Sequence, residues 1–202
     1  MNAKKIAAIV LAVVLVFGCG VGATLAWLQD TTPEVTNTFT VGKVDITLTE
    51  SPLKDDGTYG DPAEDTDNEY QLIPGKTYTK NPTVSVDETS EDCWLFVKFE
   101  EVGNAATYIQ YTSTLTTANG WTQGDGTNIP ADVWYREVKK GDPVHSWELL
   151  DNNEITIKGE AVTNENMNTA ADAALKYTAY AVQTANGEST FSAAEAWAKA
   201  NP

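Results

Sequence analysis

The amino-acid sequence predicts an all-β protein, an antiparallel β-sandwich with one or two short helices. Three observations carry that expectation. Short segments in which apolar and polar residues alternate recur along most of the chain, and polar stretches punctuated by glycine and proline separate them. Segments favouring helix are confined to residues 164–175 and 192–199, whereas a parallel sheet needs a helix between successive strands.

The first 26 residues have the order of a secretory signal peptide. Lys4 and Lys5 supply a basic start, residues 6–17 form an unbroken apolar run, and Thr24, Leu25 and Ala26 close a small-residue stretch. Thr24 and Ala26 occupy the two positions a signal peptidase reads, which places cleavage before Trp27. An uncleaved membrane anchor is the competing reading, because no charge interrupts residues 6–29. Gly18, Gly20 and Gly22 argue against a long stable helix there. Cys19 follows Val16-Phe17-Gly18, a partial likeness to a lipoprotein lipidation site in which Phe17 replaces the customary small residue. With Cys19 in the leader, Cys93 is the one cysteine left, so no intramolecular disulfide can form and the core alone must hold the fold.

Residues 27–38 form a Thr-rich extended arm whose apolar members are Trp27, Leu28 and Val35. Such an arm can add itself as a strand to a neighbour's sheet edge, where backbone hydrogen bonds give affinity and pockets give register. The sandwich occupies residues 39–202. Phe39 and Val41, then Val44, Ile46 and Leu48 after Gly42, alternate as in a strand with a bulge at the glycine. Residues 51–69 are polar, carry carboxylates without a balancing cation from Asp55 to Glu69, and read as an exposed acidic insertion loop. Pro74-Gly75 asks for a type II turn, followed by a strand over 77–86. Residues 93–102 (CWLFVKFEEV) are the strongest strand, apolar on both faces at their start. Alternation is weak over 108–115, residues 118–130 are rich in turns, and strand character returns at 132–138, 154–158 and 176–183. Ser192 and Glu195 have the spacing of a capping box opening a C-terminal helix.

Composition excludes several functions. The formal net charge is −16, from 13 basic against 29 acidic residues, so nucleic acid is excluded as a partner, because phosphate binding needs clustered Lys and Arg. A single Arg136 and a single His145 leave little for acid–base catalysis, and one histidine cannot make an H-E-x-x-H zinc site. Cys93 lies beside Glu91, Asp92 and Trp94, a setting that disfavours a reactive thiolate. The chain therefore reads as a non-enzyme without an organic cofactor. Asp61, Asp65, Asp67 and Glu69 concentrate oxygen ligands in one loop, a compositional pointer to calcium that lacks the glycine and distal glutamate of an EF-hand.

Ala23-Thr24-Leu25-Ala26-Trp27-Leu28-Gln29-Asp30-Thr31, then Asn37-Thr38-Phe39-Thr40-Val41-Gly42 and Val44-Asp45-Ile46-Thr47-Leu48, closely resemble the amino terminus of the TasA and camelysin family of exported matrix proteins. The likeness is specific over residues 4–50 and continues in weaker patches at 72–76, 92–99 and 177–197. It implies a jelly-roll-like β-sandwich, export through the dedicated SipW-type signal peptidase, and a place in the biofilm matrix or on the cell surface of a Gram-positive bacterium. It further implies a homo-polymeric fibre, alone or with related subunits, assembled by donor-strand exchange of the arm. Camelysins have been described as metalloproteases, but no motif here supports that activity. The competing expectation is a soluble or membrane-anchored surface adhesin, a binding module whose acidic loops contact a partner or calcium.

Overall fold

The computed structural model describes residues 43–64, 66, 68–160, 173–186 and 189–200. They form an antiparallel β-sandwich with two α-helices. One layer is a four-stranded sheet in the order β10 (Ala174–Gln183), β4 (Cys93–Val102), β7 (Val133–Val138), β6 (Thr122–Gln123). The facing layer is split. One half has the order β1 (Ile46–Thr49), β3 (Thr83–Val86), β8 (Ser146–Glu148); the other half has β2 (Thr77–Thr79), β9 (Glu154–Ile157), β5 (Ile109–Gln110). A small hairpin joins β11 (Ala185–Asn186) to β12 (Ser189–Thr190).

The strand expected over 77–86 is divided because Pro82 has no N–H to give to a ladder. Its neighbour is interrupted at the same level, over residues 149–153. The Leu149 N–H donates to Pro82 C=O and the Lys80 N–H to Asn153 C=O, both at 2.9 Å, so the two halves remain one layer across the break. Ahead of it lies the expected type II turn: Gly75 has φ 79°, a left-handed value suited to glycine, and the Lys76 N–H donates to Ile73 C=O at 3.0 Å.

β4 shows why its sequence is apolar on both faces. Cys93, Leu95 and Val97 point into the sandwich, fully buried with Val84 and Val86 from the facing layer. Trp94 and Phe96 point outward, where the C-terminal helix α2 (Ala193–Ala200) covers them. Trp197 lies 5.3 Å from the Phe96 ring and 5.4 Å from Tyr180. The capping box closes as expected: the Ser192 N–H and Oγ both donate to Glu195 Oε2 at 2.8 Å, and the Glu195 N–H donates back to Ser192 Oγ at 3.3 Å.

Two expectations need correction. Helix was expected over 164–175, but Ala174 and Leu175 belong to β10, paired with Val102 and Glu101; residues 164–172 lie outside the described residues. A ten-residue ladder with β4 outweighs the helix propensity of alanine and leucine. The weakly alternating stretch from Tyr108 begins as the end of a short helix α1 (Ala105–Tyr108) before β5. The bulge expected at Gly42 lies outside the described residues. No helix among the described residues is long and apolar enough to cross a membrane.

Candidate functional site

Among the described residues β10 pairs with β4 alone and β1 with β3 alone, so each offers an unpaired backbone edge at the same side of the sandwich. Between these edges a groove of about 1330 Å³ opens into the core. That exceeds the range of roughly 300–1,000 Å³ typical of small-molecule pockets. Its lining includes every residue from Ala173 to Ala179 in succession. A strand face would contribute alternate residues only, so this wall is the strand's edge, with its hydrogen-bonding groups turned to the opening.

The groove changes character along its length. One end is lined by Ile46, Leu48 and Ala179, the other by Leu72, Ile109 and Ile157. Between the ends, at the break in the split layer, lies a polar centre. Lys80, 8% exposed, forms an ion pair with Glu50 at 2.9 Å. Lys80 Nζ donates to both Glu50 oxygens, Oε1 at 3.1 Å and Oε2 at 2.9 Å, and Oε1 also accepts from Asn68 Nδ2 at 2.8 Å and from the Tyr70 hydroxyl at 2.9 Å. Tyr177 packs against core residues on both sides of the break. Its buried hydroxyl has no hydrogen-bond partner among the described residues. Burial above all, with weaker pushes from Tyr111, Glu50 and Glu101, holds that phenol far above its ordinary pKa, so it is a neutral O–H donor. Burial, then the charge of Glu50, raises Tyr70 in the same way.

Sequence reasoning missed this centre, since Glu50, Lys80 and Tyr177 are brought together only by the fold. It also took residues 51–69 for a purely exposed loop, which the structure corrects. Ser51 is buried, Glu50 bridges Ala63, and Leu53 bridges Tyr59. Asn68 accepts from the Leu53 N–H at 2.6 Å and donates to Ser51 C=O at 3.0 Å, folding the segment back along one wall of the groove. Asp61 and Glu69 are exposed, and Asp65 and Asp67 lie outside the described residues. Among the described residues no group of three or more His, Cys, Asp or Glu is placed to hold a metal ion. Thr24, Ala26, Trp27, Leu28 and Val35 also lie outside them. No family model, curated protein or solved structure matches the chain.

Cys93, Arg136 and His145 are not among the residues that line the groove. Cys93 is fully buried, and burial, with Asp92 beside it, pushes its thiol up to about 11. The Arg136 guanidinium lies 4.4 Å from the Trp147 ring and 5.2 Å from Trp121, between β7 and β8 on the side of the sandwich away from the groove. His145 is half-buried beside β8.

Proposed function

We propose that the protein is an exported, non-enzymatic structural subunit of an extracellular matrix or surface fibre. The N-terminal arm, 27–38, of one copy adds itself as a strand to the groove of the next. The carrying observation is the pair of unpaired edges, β1 and β10, bracketing a cavity that reaches the core. Exposed strand edges are aggregation hazards that proteins normally cover, so a groove of this kind suits a strand-shaped occupant. Because arm and groove are different surfaces, the contact is head-to-tail and propagates into a filament unless it closes into a ring. The resemblance of residues 4–50 to the TasA and camelysin family supports both export and this mode of assembly.

The test compares the chain beginning at Trp27 with one lacking residues 27–38, by negative-stain electron microscopy and size-exclusion chromatography after concentration. Filaments from the longer chain and discrete, folded particles from the shorter are expected. Discrete particles from both would turn the assignment towards a surface binding module, and filaments from both would remove the arm from assembly.

A further inference from the structure

We propose that the polar centre at the break is a bond-forming site, at which Lys80 Nζ joins the side-chain carbonyl carbon of Asn68 in an amide cross-link, with Glu50 carrying the protons. Lys80 Nζ and Asn68 Nδ2 donate to one and the same atom, Glu50 Oε1, at 3.1 and 2.8 Å, so nucleophile and leaving group share a single carboxylate. The Asn68 amide is held at both ends: the Leu53 N–H donates to Oδ1 at 2.6 Å, and Nδ2 also donates to Ser51 C=O at 3.0 Å. Lys80 is buried, and the Tyr70 ring lies 5.7 Å from Nζ while its hydroxyl fixes Oε1 at 2.9 Å. A buried ion pair needs only a lysine and a carboxylate. An amide polarised by a backbone N–H, with its nitrogen on the same carboxylate, is the arrangement of an acyl transfer. Asn81, beside Lys80 in the chain, makes the contrast: both ends of its amide bond to Ser51 and neither to Glu50.

The step balances without an oxidant or an added reactant. Proton transfer from Lys80 Nζ to Glu50 gives a neutral amine, the nucleophile, and a neutral acid, and removes two charges from a buried site. Reacting atoms must close to roughly 3–3.5 Å, and two nitrogens on one acceptor are a side-chain rotation from that contact. Nζ then attacks Asn68 Cγ, and the negative charge that develops on Oδ1 falls where the Leu53 N–H already points. Glu50 hands its proton to Nδ2 and takes the second one from Nζ. The Cγ–Nδ2 bond breaks, the Nζ–Cγ bond remains, and ammonia leaves with the last proton as ammonium, restoring the Glu50 carboxylate. The new bond closes residues 68–80 into a ring that holds Tyr70 and Leu72 of the groove lining, and so fastens that wall to the end of β2. A closed ring also restricts the unfolded chain.

Mass spectrometry of the purified, denatured protein decides it. The intact mass is expected to fall one ammonia short of the mass of the same sequence. A tryptic digest is expected to give a branched peptide joining residues 55–76 to 77–98, uncut after Lys80 because its amine is acylated. Lys80→Arg, Glu50→Gln and Asn68→Ala are each expected to restore the full mass. A full mass in the parent protein overturns the cross-link, and so does the missing ammonia without the branched peptide, as cyclisation at Asn119-Gly120 would give. A branched peptide that persists in Glu50→Gln overturns the part given to the carboxylate. The parent digest is decisive even where a variant fails to fold, and it reads the same whether or not the protein forms filaments, so it stands or falls apart from strand addition.

Discussion

The Tyr177 hydroxyl is buried by the fold without a hydrogen-bond partner among the described residues. Burying an unpartnered hydroxyl costs about 1–3 kcal/mol, so the isolated subunit carries a penalty at this position. Tyr177→Phe is expected to stabilise the isolated subunit by about 1 kcal/mol in urea denaturation. A loss of stability would show that the hydroxyl is satisfied in the free protein. Acid sensitivity is also written in single residues. The backbone N–H groups of Ile129, Thr127 and Asn128 hold the Asp125 carboxyl well below the ordinary range, and Ser192 does the same, less strongly, for Glu195. Carboxylates with lowered folded-state pKa values contribute stability above their unfolded values, near 3.9 and 4.3, and lose it as pH falls through the folded ones. The melting temperature should therefore hold between about pH 7 and 5 and fall below about pH 4, with a shallower acid limb in Asp125→Ala.

At the scale of elements, α2 is the cover of the outer sheet face. Trp197→Ala removes the ring seated between Phe96 and Tyr180 and should cost about 3–5 kcal/mol, read from the shift of the denaturation midpoint. This helix was legible in the sequence because its signals are local: Ser192 and Glu195 three apart, followed by an amphipathic run. β4 was equally legible from its composition, and Pro74-Gly75 from turn chemistry. Leu175 was misjudged because the winning influence, pairing with Glu101, lies more than seventy residues away. The groove was illegible for the same reason. Ile46 and Tyr177 bracket it from opposite ends of the chain, and nothing near either residue announces that both strand edges are unpaired. The fold was readable wherever periodicity and turn chemistry decide it; the site depends on long-range pairing and on which edge is left without a partner.

On the scale of the whole molecule the two sides of the sandwich differ. Trp121, Arg136 and Trp147 stack across one side, while the other opens between β1 and β10. Arg136→Lys keeps the charge but loses the planar stack, and a cost of about 1 kcal/mol in stability with assembly unaltered is expected. Hydrogen exchange should show the complementary pattern, with backbone amides of residues 173–179 becoming protected on assembly and the Trp121 side unchanged. The buried Cys93 gives this asymmetric subunit a further property. A thiol sealed at the start of β4 stays silent towards oxidants and alkylating reagents while the layers are closed, and becomes visible as soon as a copy opens. In the chain beginning at Trp27, whose one cysteine is Cys93, this acts as a tamper mark: opened copies are the ones that thiol chemistry can tag and count.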